Sequence, residues 1–197
     1  VHCVSESIKL EAMQYRLDPT KAWVIRPAVD PHFFYPPPST LRQDGCFRIV
    51  STGSLIWCKG YEYALLAIRR LVDMGVPAKF EIIGEGPERQ RILYTIDDLG
   101  LHDHVHMLGK LSPEQVRERL QQADAFLLSS LSEGISNAVL EAMSCGLPVV
   151  TTDCGGMTEA VTDGVEGFVV PVRDPDAMAN RLRALWKNPE LRLAMGT

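Results

Sequence analysis

Between positions 48 and 170 the chain alternates short apolar runs with amphipathic stretches, and this rhythm sets its architecture. Short apolar runs bounded by Gly, Pro or charged residues read as strands, and apolar residues recurring at three- and four-residue spacing read as helices facing a core. The pattern predicts six strands, at 47–51, 79–83, 104–107, 124–128, 148–152 and 167–170. The second to fifth carry continuous apolar cores such as Ala125-Phe126-Leu127-Leu128, as strands covered on both faces do. Helical periodicity fills the intervals at 61–74, 88–99, 113–122, 137–144 and 176–187, with a short turn from Thr158 and a helical pattern again at the end. Strand and helix in alternation predict an α/β fold, a doubly wound, Rossmann-like parallel sheet of about six strands with right-handed crossovers. Such sheets bind ligands beyond the carboxyl ends of their strands, so the loops after each strand become the candidate sites.

The first forty residues follow a different pattern: a helical segment at 7–15, an extended Trp23-Val24-Ile25, then Phe33-Phe34-Tyr35-Pro36-Pro37-Pro38. Three consecutive prolines make a stiff connector. The expected division is therefore 1–38 as the end of a preceding domain and its connector, and 39–197 as a ligand-binding domain. The chain starts at Val1 in mid-pattern and stops at Thr197 inside a helical one, so truncation at both ends is expected.

Composition narrows the classes. With 197 residues, 46% hydrophobic and 23% charged, the chain can bury enough surface to fold without a disulfide or metal staple. A net charge of −5 gives no overall attraction to nucleic acid or an anionic membrane. Cys3, Cys46, Cys58, Cys145 and Cys154 are scattered without a C-x-x-C pair, which suits a reducing cytoplasm better than a disulfide framework. Uncharged apolar runs all fall short of the ~20 residues of a spanning helix.

The richest loop follows Leu128: Ser129-Ser130-Leu131-Ser132-Glu133-Gly134-Ile135-Ser136-Asn137. Gly134 permits a close backbone approach, and Ser136 or Asn137 can cap the next helix. The free N–H groups around Ile135, Ser136 and Asn137 then form an anion site with the positive end of the helix dipole. Glu141 lies one turn inside that helix among Ala138, Val139, Leu140, Ala142 and Met143. A carboxylate in apolar surroundings needs partners, either a neighbouring backbone or Arg, or a ligand's hydroxyl pair. A second loop, Gly53-Ser54-Leu55-Ile56-Trp57-Cys58-Lys59-Gly60, leads into the helix near Tyr61. The helix dipole disfavours a cation at Lys59, a conflict that a bound anion relieves; the plainer reading is a surface lysine. Gly84-Glu85-Gly86-Pro87 supplies a third, less specific turn. Asp174-Pro175-Asp176 reads as a helix cap rather than a metal motif, and His102, His104 and His106 lack the carboxylate or thiol partners of a metal site.

Together these loops resemble the carboxyl-terminal, donor-binding half of retaining glycosyltransferases of the two-domain GT-B fold, family 4. The resemblance rests on Glu133 and Glu141 with seven residues between them, on Ala142-Met143-Ser144-Cys145-Gly146-Leu147-Pro148-Val149-Val150, and on Gly155-Gly156-Met157-Thr158-Glu159. Val24-Ile25-Arg26-Pro27-Ala28-Val29-Asp30 and Val105-His106-Met107-Leu108-Gly109 add to it. The run Trp57-Cys58-Lys59-Gly60-Tyr61-Glu62-Tyr63-Ala64-Leu65 is similar to bacterial exopolysaccharide transferases of the colanic-acid kind.

The resemblance implies transfer of a sugar from a nucleoside-diphosphate sugar to a saccharide or lipid-linked saccharide in polysaccharide biosynthesis. It implies that Glu133 contacts sugar hydroxyls, that amides of Gly134, Ile135, Ser136 and Asn137 hold the sugar or diphosphate, and that Glu141 bonds the ribose. Lys59 neutralises the diphosphate, with Glu133 and Lys59 as the catalytic pair. The first-loop residues Gly53 and Ser54 lie against the donor, while Gly84, Gly86 and Met107 border the base. Many relatives carry Arg where this chain has Ser54, so one phosphate cation is missing; either another base such as Lys110 compensates, or donor affinity or activity is weakened. No metal or other cofactor is expected, and the acceptor domain lies outside the chain, which alone is expected to bind donor without transferring it. A cytoplasmic location follows, with peripheral association at the inner membrane face and no nucleic-acid partner. A sugar-nucleotide epimerase or phosphorylase of the same fold, and a non-catalytic nucleotide-sugar-binding subunit, are the rival readings.

Overall fold

The computed structural model describes residues 1–37 and 45–196; Pro38, the boundary expected between 38 and 39, and Thr197 lie outside the described residues. The chain begins with β1 (His2–Cys3), α1 (Glu6–Gln14), a 3-10 turn (Pro19–Lys21) and β2 (Trp23–Val24). Two residues are too few to show a period, so β1 leaves no trace in the hydrophobic pattern. It exists because His2 and Cys3 meet Trp23 and Val24 in parallel register. Helix α1 starts where the buried Ser5 Oγ accepts the Ile8 N–H at 3.1 Å, a side-chain cap. The aromatic and proline stretch after it is packed down. The Phe34 carbonyl accepts the Ser144 hydroxyl at 2.6 Å, and Arg117 stacks over the rings of Phe33 and Tyr35 at 4.8 and 5.2 Å.

The main body runs β3 (Phe47–Thr52), α2 (Tyr61–Asp73), β4 (Ala78–Ile83), α3 (Arg89–Asp98), β5 (Val105–Gly109), α4 (Pro113–Gln122), β6 (Ala125–Leu128), α5 (Asn137–Ser144), β7 (Val149–Thr152), β8 (Gly167–Val170), α6 (Pro175–Lys187) and α7 (Pro189–Met195). All six main strands are parallel, in the order β5-β4-β3-β6-β7-β8. This is the doubly wound, Rossmann-like sheet read from the pattern. Its order reverses between β3 and β6, and the crevice beyond their carboxyl ends is the expected ligand position.

Alternation along the strands splits the core in two. Ile49, Phe80, Ile82, Leu127 and Val150 join Leu65, Ile68 and Leu182 of α2 and α6 on one face. Val50, Phe126, Leu128 and Val149 join Leu120, Val139 and Ala142 of α4 and α5 on the other. Each fully buried Leu, Ile or Phe contributes about 1.5–3 kcal/mol. One strand departs from its expected span: β5 starts after His104 and continues to Gly109, because a register shift opposite Ile82 and Ile83 lets Gly109 pair as well. A bulge of this kind leaves no mark in a two-residue period. Among the described residues no helix is long and apolar enough to cross a membrane.

Candidate functional site

The loops after β3 and β6 meet at the point where strand order reverses. Buried hydroxyls crowd this end of the sheet: Ser51 and Thr52 close β3, Ser129 and Ser130 follow β6, and Thr151 and Thr152 close β7. They bind one loop to the next. The Ser129 hydroxyl donates to the Lys59 carbonyl at 2.9 Å, the Thr152 hydroxyl to the Ser130 carbonyl at 2.6 Å, and the Leu131 N–H to the Cys58 carbonyl at 2.7 Å. Buried Tyr61 stands beside them, its phenol pushed up to about 12 by burial and kept from falling back by the Glu133 charge.

Lys59 ends a 3-10 turn (Trp57–Lys59) and is separated from α2 by Gly60, which is left-handed at φ 60°. Its ammonium is paired with Oε1 of Glu133, and the Ser130 hydroxyl donates to the same oxygen at 2.7 Å. This corrects the sequence reading of Lys59. The lysine lies ahead of the helix rather than in its first turn, and a carboxylate from the β6 loop, not an awaited anion, already answers its charge. With both partners on Oε1, the second oxygen of Glu133 has no protein partner among the described residues. The side chains retain only 17% and 13% exposure, so the pair is fixed rather than solvated.

Helix α5 opens on Ser136, which occupies the cap position without a side-chain cap bond; its N–H meets the Met157 sulfur at 3.4 Å. The hydroxyl cap expected of Ser136 or Asn137 is therefore absent, and the first turn of α5 faces a cavity of about 480 Å³ with its N–H groups uncovered by any side-chain cap. Lys59, Glu133, Ile135, Ser136, Asn137 and Glu141 line that cavity, with Val4 and Pro27 from the first segment completing its wall. A second cavity of about 410 Å³ adjoins it, lined by Ser54, Gly84, Glu85, Lys110 and Val116 among others. Thr52, Gly53, Ser54 and Glu141 belong to both.

Glu141 thus stands where the two cavities join. It is half-buried, burial pushes its carboxyl above the usual range, and among the described residues it makes no hydrogen bond or ion pair. Of the two partners left open for it, the structure provides no backbone or Arg, so the carboxylate is available to a ligand.

Three expected residues stand apart. Met107 packs against the first core face and lines neither cavity. A Cβ on Gly86 would collide with the Leu55 backbone, so this glycine serves the contact between the β3 and β4 loops. A Cβ on Gly134 would collide with the Val4 side chain, which places this glycine behind the cavity wall. Gly84 does line the second cavity, yet it too is constrained by contact, since a Cβ there would meet the Gly53 carbonyl.

His102 pairs with Asp97 at 2.7 Å, while His104 Nδ1 bonds the Ala78 carbonyl at 2.9 Å, so the histidines face different partners. Asp174 caps α6 by accepting the Ala177 N–H at 2.9 Å, as its position before Pro175 implied. Sequence reasoning missed Val4 and Pro27, which reach the site only through tertiary packing, and the hydroxyl pairs. A signal for the latter exists: two apolar residues followed by two hydroxyl residues recur as Ile49-Val50-Ser51-Thr52, Leu127-Leu128-Ser129-Ser130 and Val149-Val150-Thr151-Thr152.

Residues 37–197 match the family model described as glycosyl transferases group 1. The chain is 38% identical over 143 residues to the putative colanic acid biosynthesis glycosyltransferase WcaL of Escherichia coli, covering 70% of this chain and 35% of that protein. It is 36% identical over 164 residues to one subunit of the phosphatidylinositol N-acetylglucosaminyltransferase of Homo sapiens, covering 83% of this chain and 34% of the relative. The chain therefore spans about a third of the length of the curated relatives it matches. In structure it is similar to Anabaena HepE, solved in complex with UDP and glucose, with a TM-score of 0.90 and 22% identity over 100% of this chain and 56% of that one.

Proposed function

The chain belongs to the glycosyl transferases group 1 family, and from that premise we propose that its crevice binds the nucleoside-diphosphate sugar of a retaining sugar transfer. The observation that carries the reading is Glu141, a carboxylate without a protein partner at the junction of two cavities. A sugar nucleotide has two unlike ends joined by a charged linkage, and the crevice has a matching division. The ribose hydroxyls meet Glu141, with the base in the cavity of Ser54, Gly84 and Lys110. The diphosphate lies against the open N–H groups of α5 and shares the Lys59 ammonium with Glu133. The free oxygen of Glu133 accepts a hydroxyl of the sugar.

Catalysis in this reading is the stabilisation of charge growing on the departing diphosphate by N–H dipoles and an ammonium fixed beforehand. Those protein donors do the work without a resident metal ion. HepE, solved with UDP and glucose, supports the ligand class. The relatives, a colanic acid biosynthesis glycosyltransferase and a phosphatidylinositol N-acetylglucosaminyltransferase, support a saccharide or lipid-linked acceptor at the cytoplasmic membrane face, met by a domain beyond this chain.

Calorimetry with UDP, GDP, ADP and inorganic pyrophosphate tests the proposal. Glu141→Gln is expected to weaken the tightest nucleotide by about 10- to 100-fold, the worth of a hydrogen bond to a charged group, and to leave pyrophosphate unchanged. Equal losses for both would remove the ribose role; a folded chain that binds none of the nucleotides would end the reading.

A further inference from the structure

Glu159 lies in the 3-10 turn Met157–Glu159 after β7 and lines neither cavity. Its carboxylate nevertheless gathers three donors from the first segment of the chain. The N–H groups of Ser7 and Glu6 reach it at 2.9 and 3.2 Å, and Arg26 Nη2 at 2.9 Å. Glu6 and Ser7 form the first turn of α1, whose positive dipole end adds to the attraction. Burial pushes the Glu159 carboxyl up, but the bonds from Ser7, Glu6 and Arg26 outweigh it and hold the group below the usual carboxylate range.

The two gripped points matter because of what stands beside them. Val4 precedes the capped start of α1 and Pro27 directly follows Arg26, and these are the two residues of the first segment that wall the cavity of Glu133 and Lys59. Neither lines the cavity of Ser54, Gly84 and Lys110. The contact surface between the segments is close: side chains on Gly134 and Gly156 would collide with Val4 and Ser5. Gly156 in turn donates its N–H to the Gly134 carbonyl at 2.8 Å.

We infer that Glu159 is a positioning residue that clasps the first segment at both sides, so that Val4 and Pro27 form the wall over the sugar end of the crevice. The inference rests on the donor reading above and goes beyond it, because it separates the two ends of the ligand. Opening the clasp frees the wall on the sugar side and leaves the nucleoside side as it was. A general loss of structure would weaken both.

The test is calorimetry of the chain and of Glu159→Gln with UDP, GDP and ADP and with their glucose conjugates, after a melting curve establishes that the variant is folded. For the nucleotide bound most tightly, Glu159→Gln is expected to weaken the glucose conjugate by roughly tenfold, the loss of about one charge-assisted bond, and the free nucleotide by less than about twofold. Arg26→Met opens the same clasp from the other side, with a smaller loss of the same selectivity, and serves if Glu159→Gln does not fold. Equal weakening of nucleotide and conjugate, or no weakening of either, overturns the clasp while leaving the donor reading intact. A folded parent chain that binds no nucleotide overturns both.

Discussion

The sheet has open space at both ends, and the two spaces differ in kind. At the amino ends of β6 and β7 lies the larger one, about 590 Å³, walled by Leu120, Met143, Leu147, Pro148 and Leu193. The charged groups Asp124 and Arg192 that line it face each other at 3.9 Å. Its thiol, Cys145, is pushed up to about 11 by burial, with the Glu141 charge adding to the effect, and stays neutral. At the carboxyl ends the cavities are smaller, about 480 and 410 Å³, but they hold an unpartnered carboxylate, a free oxygen on Glu133 and an uncapped helix start. Size and apolar lining mark where packing is incomplete. Polar groups left open at the switch point mark where a polar ligand is awaited.

On this contrast, changes at the amino end act on stability and changes at the carboxyl end act on binding. The largest effect is expected from Leu120→Ala, which deletes a fully buried side chain beside an existing void. It should cost about 2–5 kcal/mol in urea denaturation. Its nucleotide affinity should match the parent's, and a drop of more than about threefold would break the separation of the two ends.

Lys59→Met comes next. It leaves Glu133 with the Ser130 hydroxyl alone and should cost about 2 kcal/mol, less than for a fully dry pair because some exposure remains. Nucleotide binding should weaken and lose part of its salt dependence. The double variant with Glu133→Gln should regain stability but not binding; recovery of both would mean that the pair only holds the fold.

A smaller change of opposite sign is expected from Glu141→Gln. Burial raises the Glu141 pKa, so its contribution to stability is complete below the ordinary carboxylate range and is lost as pH rises through the raised value. At neutral pH the ionised group therefore works against the fold, and the neutral variant should melt above the parent while binding nucleotide less well. The difference should vanish at a pH low enough to protonate the carboxyl. A lower melting point at neutral pH would show a stabilising protein partner for Glu141 and remove the contrast.

The smallest effect belongs to Cys145 and appears only in alkali. With the thiol raised from its ordinary 9.0 to about 11, stability is whole below the lower value and declines between the two. Cys145→Ala should lack that part of the decline in parallel denaturation series; identical slopes would place the thiol in contact with water.

Much of this was legible in the residue pattern because the relevant physics is local. The apolar core Ala125-Phe126-Leu127-Leu128 marks a strand buried on both faces wherever it pairs, and Asp174 before Pro175 caps a helix through its own neighbours. Glu141 stood out because an acid among Val139, Ala142 and Met143 conflicts with its own helix. Lys59 was placed wrongly in its helix, and its pairing with Glu133 was not foreseen, because that contact joins loops from two strands adjacent only through the crossover. Gly84 and Gly86 were read as ligand-facing turns, while backbone contact with the Gly53 to Leu55 loop is what excludes a side chain.

Residue order alone was enough for the alternation of strands and helices, the two-faced burial of the sheet and the residue types concentrated after β3 and β6. Periodicity and capping act between residues close in the chain, so they can be read along it. Folding in three dimensions was needed to make Lys59 and Glu133 one unit, to set Glu141 between two cavities without a protein partner, and to bring Val4, Pro27 and Glu159 to the same crevice. Those facts depend on which strands become neighbours and which loop carbonyls and side chains then compete for each charge, and such competition is settled in space rather than along the chain.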